Sequence, residues 1–297
     1  MNERKAVLIY NPNAGRGRDP ARPVETFCAA ARASGIDVEV RATAGPHDAA
    51  RLAGEAARAG ATDVIARGGD GTVHEAIQGL VGSGVRMLVW PAGTANVLAR
   101  QLGLPRGASE AAAVFARGRA RRITLGAATN ERTDERRYFF MLAGVGLDAS
   151  VVQSVRPRLK RRVGEAAFWY AGLAHLAHWV PREFTVEVGG ERLPATYAAV
   201  GKAPWYGGGL AITPRARLDA EEFEVCVIDT HSRLRYLRLL GQAMRGGARE
   251  GTPGVTFRRA ARLRCVGDVG VQADGELIGE LPMTFEVVKE GLEVIVP

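Results

Sequence analysis

The sequence predicts an α/β domain followed by a mainly antiparallel β domain. In its first third, apolar strand-like segments alternate with helix-like segments, and such a series implies a parallel sheet with helices on both faces. After about Ala120 the pattern changes to short alternating strands separated by turn residues such as Gly189-Gly190, which suits an antiparallel β domain. We therefore expect one domain over residues 1–122, which residues 285–297 could complete, and a second over residues 123–284.

The elements of the first domain follow from apolar runs and from helix start and stop signals. Ala6–Tyr10 has the continuous apolar character of a buried strand, and Ser34-Gly35 stops the helix that follows it. The expected strands are Ala6–Tyr10, Ile36–Arg41, Asp63–Ala66 and Arg86–Trp90, and the expected helices lie near Pro20–Ala33, Asp48–Ala59, Val73–Leu80 and Ala95–Leu102.

Composition and charge limit the function classes. Hydrophobic residues make up 46% and charged residues 24% of the 297 positions, which is typical of a globular chain with a sizeable core. The three cysteines are far apart, so neither a zinc site nor a disulfide framework is indicated, and a reducing cytoplasm fits best. The net charge of +8 comes with a general arginine bias. We therefore expect no nucleic acid partner. An anionic membrane surface or a polyphosphate would suit the charge, and a solvated basic face would explain it equally well.

Three segments bear on membrane association. No secretory signal is visible, and the longest apolar stretch, Ala166–Val180, is shorter than the about 20 residues that span a bilayer. The basic run Arg156–Arg162 beside Phe168-Trp169-Tyr170 could dock on anionic lipid, or it could be a solvated loop. We expect a cytoplasmic protein that is peripheral at the membrane surface, and a homodimer is left open.

A helix predicted near Arg233–Arg245 has an apolar stripe. Arginines occupy the other positions around the helix. Such a stripe most often faces the core, although a helix that lies in a membrane interface has the same pattern. The stripe consists of Leu234, Leu237, Leu240 and Met244.

The most informative motif is Gly68-Gly69-Asp70-Gly71-Thr72, placed between a strand and a helix. Its glycines let the backbone approach a ligand, and the following helix directs its unpaired N–H groups at the turn, which suits a phosphate. Asp70 would repel a bare phosphate, but it fits if Mg²⁺ lies between them. The alternative is a plain glycine turn in which Asp70 caps the helix.

A second motif, from Asn11 to Arg18, follows the first strand, where open α/β sheets bind ligands. Asn11 and Asn13 can hydrogen-bond a base or a sugar, while Arg16 and Arg18 can clamp phosphate oxygens. A simple strand-to-helix turn explains the same residues equally well.

A third motif, from Pro91 to Asn96, again joins a strand to a helix. Thr94 or Asn96 could cap that helix, or their side chains could reach a phosphate or a metal-bound water. Turns that follow neighbouring parallel strands should converge on one crevice. No GxxxxGK[ST] occurs, and no GxGxxG opens the first helix, so neither a P-loop enzyme nor a dinucleotide dehydrogenase is indicated.

Together these segments resemble the diacylglycerol kinase catalytic superfamily, which includes bacterial soluble lipid kinases and sphingosine kinases. The resemblance extends to Ala143–Asp148, to Tyr206–Gly209 with Pro214, and to Asp274-Gly275-Glu276, and it covers nearly the whole chain. It implies an α/β nucleotide-binding domain similar to those of NAD kinase and phosphofructokinase. It also implies a C-terminal antiparallel β-sandwich for the lipid substrate, with the active site in the cleft between the domains.

The resemblance also implies roles. ATP would be the phosphoryl donor, and Asp70 would belong to its Mg²⁺ network. Asp274 would be the general base that takes the proton of the lipid hydroxyl, with Glu276 assisting. The expected nucleotide-binding residues are Asn11, Asn13, Gly15, Arg16, Arg18, Gly68, Gly69, Asp70, Gly71, Thr72, Glu75, Gly93, Thr94 and Asn96.

Two departures from the family pattern keep alternatives open. Many bacterial members have Asn-Asp in the third turn, where this chain has Asn96-Val97. A second, structural metal site usually has an Asp-Asp-Gly sequence, where this chain offers only Asp219 and Glu222 as ligands. The alternatives are a kinase for a soluble substrate, resembling NAD kinase, and a non-catalytic regulator that binds lipid or nucleotide.

Overall fold

A computed structural model describes residues 4–15, 19–154, 179–206 and 209–297. The chain divides into two compact units, Met1–Ile123 with Glu290–Pro297, and Thr124–Lys289. The predictions made for Arg16, Arg18, the basic run Arg156–Arg162 and the neighbouring aromatic residues lie outside the described residues.

The first unit has a parallel sheet in the strand order β2-β1-β3-β4, with the end of a long strand, β16, added beside β4. Strands β1, β3 and β4 are rich in buried apolar residues, as expected for the central strands of a parallel sheet covered on both faces, whereas the edge strand β2 is largely exposed. The predicted α/β architecture is confirmed. The strands are β1 (Ala6–Tyr10), β2 (Val38–Ala42), β3 (Asp63–Gly68), β4 (Arg86–Pro91) and β16 (Met283–Ile295).

Helices of the first unit pack in two pairs, α1 with α5 and α2 with α3. Phe27 of α1 stacks on Trp90 of β4 with ring centroids 4.9 Å apart, and it packs at a tilt against Phe115 of α5 with centroids 5.8 Å apart. Gly79 of α3 allows the other pair to approach closely, because an added Cβ would lie 2.2 Å from the Ala50 carbonyl oxygen. The helices are α1 (Ala21–Ala33), α2 (Asp48–Arg58), α3 (Asp70–Leu80), α4 (Val97–Gln101) and α5 (Ala108–Arg117).

The second unit contains two antiparallel groups of strands, which confirms the predicted β-sandwich. One sheet has the strand order β12 (Val255–Ala260), β11 (Phe223–Ile228), β10 (Tyr197–Gly201), β7 (Leu142–Val145), β14 (Gly270–Ala273) and β15 (Glu276–Glu280). In the other, β13 (Arg262–Val266) pairs with β8 (Phe184–Val188) and with the beginning of β16, while β9 (Glu191–Ala195) pairs with β8. Buried side chains from both groups, such as Val225 and Phe285, share one core.

The remaining elements are β5 (Ala120–Asn130), β6 (Arg136–Phe139), α6 (Leu147–Ser154) and α7 (Arg233–Met244). Sequence periodicity did not predict α5 and α6. Within the described ranges, no helix is both long and apolar enough to cross a bilayer.

The structure corrects the predicted orientation of helix α7. Its core-facing residues are Tyr236, Leu239 and Ala243, which are buried. Leu234, Leu237 and Met244 of the predicted core stripe are instead 77%, 44% and 60% exposed. Both sides of this helix carry apolar residues, so the pattern alone did not identify the side that packs against the core.

Candidate active site

Three of the predicted turns meet at one edge of the first unit's sheet. Strands β1, β3 and β4 are parallel neighbours, so their carboxyl ends lie at the same edge. The backbone pairing continues beyond the strands, because Asn11 donates its N–H to the Arg67 carbonyl at 3.0 Å and Ala92 donates to that of Gly68 at 2.8 Å. The structure thus brings together the turns that begin at Asn11, Gly69 and Ala92.

Glycines allow these turns to approach one another closely. A Cβ added to Gly93 would lie 2.5 Å from the Cα of Gly69, which is shorter than any normal contact. Gly15 has a φ of +95°, and a Cβ there would lie 3.3 Å from the Ala92 carbonyl oxygen. The turn surface is therefore mainly backbone, as a phosphate-binding turn requires.

The glycine motif forms the first turn of helix α3 and is not a separate loop. Gly69 is extended, with φ −86° and ψ −177°, and the helix begins at Asp70. Gly71 and Thr72 therefore lie in the first helical turn, where backbone N–H groups have no acceptor within the helix. The predicted helix began at Val73, because glycine normally disfavours a helix.

Asp70 caps the neighbouring helix α4. Its Oδ1 accepts a 2.7 Å hydrogen bond from the Val97 backbone N–H. Burial raises the pKa of the Asp70 carboxyl, and hydrogen bonds from backbone N–H groups, that of Val97 first, oppose the shift. The alternative interpretation placed this aspartate as a cap of its own helix, whereas the structure shows it bonded to the first residue of α4.

The side chain of Asn96 is hydrogen-bonded to the backbone of Gly93 in the same turn. Its Oδ1 accepts a hydrogen bond from the Gly93 N–H at 2.9 Å, and its Nδ2 donates to the Gly93 carbonyl at 2.7 Å. The residue is 4% exposed and has a φ of +48°, a conformation that asparagine tolerates better than most residues. Its amide thus fixes the position of Gly93, while Thr94 beside it is exposed.

Asn11 holds the first turn in a similar way. Its Oδ1 accepts a hydrogen bond from the Asn13 N–H at 2.8 Å, and its Nδ2 lies 3.5 Å from the Thr72 hydroxyl oxygen. These contacts link the first turn to helix α3. Glu75 faces another element, because its Oε2 accepts a 3.2 Å hydrogen bond from the Ala49 N–H in the first turn of α2.

In the second unit, Asp274 and Gly275 form the two-residue turn between β14 and β15. Both have positive φ, +49° and +87°, as the type I′ turn of a tight hairpin requires. Both carboxylate oxygens of Asp274 accept backbone hydrogen bonds from the segment that leads into β7. Oδ2 accepts from Phe140 at 2.9 Å, and Oδ1 accepts from Met141 and Leu142 at 2.9 and 3.0 Å.

A polar cluster supports this hairpin from the interior. Gln272 is fully buried and its Oε1 accepts a 2.8 Å hydrogen bond from the Gly275 N–H. Asp148 lies on its other side, and the Tyr197 hydroxyl donates to Asp148 Oδ2 at 3.0 Å. Gly144 leaves room for the pair, because a Cβ there would lie 2.3 Å from Asp148 Oδ2 and 2.7 Å from Gln272 Nε2.

Burial dominates the electrostatics of this cluster. It raises the pKa of Asp148 to about 6, against hydrogen bonding from Tyr197 and Gln272. The pKa values of Tyr197 and Tyr206 are raised by burial and by the charge of Asp148. The sequence resemblance included Asp148 without a role; the structure gives it contacts behind the Asp274 turn.

A cavity of about 560 Å³ opens beside the same hairpin. Gly270 and Leu277 line it from β14 and β15, and Trp179 and Val180 line it from the segment before β8. Its volume is in the range of small-molecule pockets.

Asp219 and Glu222 were expected to hold a structural ion. Both are exposed, and Arg217 donates to the Asp219 carboxylate from Nε at 3.0 Å and from Nη2 at 3.2 Å. Lys202 is buried beside them and donates to the Ala220 carbonyl, and burial lowers the pKa of its ammonium to about 8. Over the described ranges no group of three or more His, Cys, Asp or Glu side chains is arranged to hold a metal ion.

Sequence reasoning missed Arg67, the last residue before the glycine pair. It is 7% exposed, and its guanidinium carbon lies 4.8 Å from the centre of the Trp90 ring. Neither Nε nor Nη1 has a hydrogen-bond partner among the described residues. The sequence does contain a signal for this residue, because Arg67 is a charged residue between the apolar run Val64–Ala66 and Gly68.

Comparisons with known proteins agree with this geometry. Residues 5–128 match the family described as the diacylglycerol kinase catalytic domain, and residues 142–296 match the YegS C-terminal NAD kinase beta sandwich-like domain. A diacylglycerol kinase of Mycobacterium tuberculosis is 31% identical over 99% of this chain and 95% of its own length. One from Bacillus subtilis is 28% identical over 99% and 97%.

The fold also matches solved structures. A crystal structure of a diacylglycerol kinase from Bacillus anthracis str. Sterne superposes with a TM-score of 0.79 at 21% identity, covering 100% of this chain and 98% of that one. Both halves of the sequence, the relatives at full length and the fold agree. The chain belongs to the diacylglycerol kinase family of lipid kinases.

Proposed function

We propose that this chain is an ATP- and Mg²⁺-dependent kinase that phosphorylates a lipid hydroxyl. Diacylglycerol is the first substrate to test, and ceramide, sphingosine and monoacylglycerol are related ones. The names of the relatives support a lipid substrate. The observation that carries the proposal is the close approach of Gly69 and Gly93, which makes the edge of the first unit's sheet a surface of backbone.

The nucleotide phosphates would bind at this edge. Helix α3 begins there, so its first N–H groups and its positive dipole end favour an anion. Asn11 and Asn96 fix the turns that flank the helix by side-chain hydrogen bonds. Pre-positioned donors of this kind stabilise phosphate charge without reorganising during the reaction.

Asp70 is the residue that would join a Mg²⁺ network in the first unit. Its carboxylate oxygens are suitable ligands, and burial raises the pKa of the carboxyl, so a nearby cation would offset the cost of the buried charge. When bound, Mg²⁺ would neutralise charge on the transferred phosphoryl group.

Asp274 is proposed to take the proton from the lipid hydroxyl. Three backbone N–H groups hold its carboxylate in one orientation, and Gln272 fixes the adjacent Gly275. A general base needs such fixed geometry within hydrogen-bond reach of the proton it accepts. Glu276, at the start of β15, is proposed to assist.

The test is transfer of the labelled γ-phosphate of ATP to each of the four lipids, with wild-type protein and with Asp274→Asn. We expect the substitution to lower the transfer rate by about 10²–10⁴-fold, the range for loss of a general base. Nucleotide affinity, measured by calorimetry, should stay unchanged. Melting temperatures are recorded for both proteins, because Asp274 also anchors the segment that leads into β7.

Asp134→Asn is the matched control. Asp134 also lies in the second unit with a positive φ, +58°, in the turn between β5 and β6, and its substitution should leave transfer unchanged. Equal rates in wild-type and Asp274→Asn proteins would remove the base assignment. Transfer to NAD and not to any lipid would favour the soluble-substrate alternative, and nucleotide binding without any transfer would favour the regulator.

A further inference from the structure

Helix α7 presents an apolar stripe to solvent. Leu234, Leu237 and Met244 are spaced by three and seven residues, so they lie on one face. They are 77%, 44% and 60% exposed. The helix is already anchored by its opposite side, where Tyr236, Leu239 and Ala243 are buried. In the described part of the second unit, α7 is therefore held by this opposite side, and the stripe is left largely exposed.

Arginines surround this stripe without counter-charges. The segment from Arg233 to Arg245 contains no acidic residue. Its four arginines are exposed, and none forms an ion pair with a carboxylate in the described part of the chain. They are Arg233, Arg235, Arg238 and Arg245. Elsewhere in the described part of the chain some surface arginines do have such partners, as Arg215 has in Glu250 and Arg258 in Glu191.

The exposed apolar side chains, together with arginines that have no carboxylate partner in the described part of the chain, indicate what kind of partner would bind this surface. Apolar side chains that enter the headgroup boundary, flanked by basic residues, are characteristic of helices that lie on anionic membranes. A protein surface would need carboxylates opposite four arginines as well as an apolar groove. A bilayer with anionic headgroups supplies both chemistries along its whole surface.

We propose that α7 docks the second unit onto an anionic lipid bilayer, with Leu234, Leu237 and Met244 inserted at the headgroup boundary. The proposal deepens the lipid-kinase function and rests on it for the identity of the substrate. The buried side of α7 contacts the wall of the cavity beside the Asp274 hairpin, because Tyr236 packs edge-on against Trp179 with ring centroids 5.2 Å apart. Docking through α7 would thus bring this cavity near the bilayer surface.

The experiment compares wild-type protein with Leu234→Ser/Leu237→Ser. Binding is measured by co-sedimentation with vesicles of phosphatidylcholine alone or mixed with phosphatidylglycerol. We expect wild-type protein to prefer the anionic vesicles, and the double variant to bind them at least about tenfold more weakly, because insertion strength scales with buried apolar area. Arg235→Gln/Arg238→Gln should also weaken binding to the anionic vesicles, and added salt should weaken wild-type binding.

Matched controls separate docking from general surface changes. Val40→Ser removes an apolar side chain that is 43% exposed on β2 of the first unit. Arg132→Gln removes an exposed arginine of the second unit outside α7. Both should bind vesicles like wild type, and melting temperatures should show that all variants are folded.

Activity distinguishes this proposal from the proposed function. The double leucine variant should phosphorylate short-chain, monomerically dispersed diacylglycerol at the wild-type rate, but long-chain diacylglycerol in anionic vesicles at least about tenfold more slowly, in line with its weaker binding. Wild-type protein that binds vesicles through α7 but transfers no phosphate to either form of diacylglycerol would count against diacylglycerol as the substrate and would leave the docking proposal intact.

Two results would overturn the docking proposal. One is equal vesicle binding by wild type and the double leucine variant. The other is a wild-type dimer, detected by analytical ultracentrifugation, that the same substitutions convert to a monomer while vesicle binding stays unchanged. In that case the stripe would be covered by a second copy of this chain.

Discussion

At the amino end of strand β3, Asp63 is completely buried and lies between two arginines. Its Oδ2 is 3.1 Å from Arg4 Nε and its Oδ1 is 2.7 Å from Arg86 Nη2. At the carboxyl end of the same strand, Arg67 is also buried and stacks on Trp90, but two of its nitrogens have no partner among the described residues. One strand thus carries a buried charge with two ion-pair partners at one end and, at the other, a buried charge with no ion-pair partner among the described residues.

This difference shows where the first unit holds unfavourable free energy. Buried charges are tolerable when they are paired, and costly when they are not. Asp63 lies at the end of β3 that is farther from the predicted site. Arg67 lies at the other end, directly before Gly68 and Gly69 at the predicted ligand-binding edge. Asp63 and Arg67 are only four positions apart. We therefore expect the ion pairs of Asp63 to stabilise the fold, and we expect Arg67 to contribute little to stability.

The largest expected effect would come from breaking the paired end. Asp63→Ala should lower the free energy of unfolding by about 3–5 kcal/mol, because it leaves two partly buried arginines without their carboxylate. Urea denaturation followed by circular dichroism measures this change. Asp37→Ala is the control. The Asp37 pair with Arg32 is exposed on both sides, and its loss should cost about 0–1 kcal/mol. Similar costs for both substitutions would contradict the comparison.

A second carboxylate, that of the partly buried Asp148, extends the comparison, because its neighbours are neutral donors where Asp63 has arginines. Its pKa in the folded state, about 6, lies above the ordinary value of 3.8, so the fold favours the protonated form. The stabilisation is therefore fully present below about pH 4 and is lost as pH rises through about 6. This loss is at most about 3 kcal/mol, since each pKa unit corresponds to 1.36 kcal/mol and the residue is only partly buried.

The measurement is the difference in unfolding free energy between wild type and Asp148→Asn from pH 4 to pH 8. Asparagine keeps an acceptor for the Tyr197 hydroxyl but does not titrate in this range. The difference should move in favour of the variant as pH rises, mostly between pH 4 and 6. A difference that does not change with pH would show that the Asp148 carboxyl titrates normally.

The sequence predicted the features that depend on local pattern. Alternating apolar segments gave the parallel sheet, and glycine turns at strand ends gave the edge where three turns meet. It could not predict contacts between distant positions. Asp70 caps a helix through Val97, 27 residues away, and Asp274 accepts a hydrogen bond from Met141, 133 residues away. In α7, periodicity located the stripe that begins at Leu234 but not the side with Tyr236 and Leu239, which packs inward.

The smallest expected effect belongs to the end of β3 that carries Arg67. Arg67→Met should change the free energy of unfolding by less than about 1 kcal/mol, or should stabilise the protein, because replacing a buried charge by an apolar side chain of similar volume is often neutral or favourable. Loss of the cation–π contact with Trp90 offsets part of the gain, by about 0.5–2 kcal/mol. Urea denaturation measures the change.

Arg4→Met is the matched variant at the paired end. Arg4 also lies over an aromatic ring, that of Phe115 at 4.3 Å, but it is bonded to Asp63 as well. Its loss leaves a fully buried carboxylate with one arginine fewer, so it should cost clearly more than the loss of Arg67. If the two methionine variants lowered the free energy of unfolding equally, the surroundings of Arg67 would stabilise it as much as Asp63 stabilises Arg4. The contrast between the two ends of β3 would then not hold.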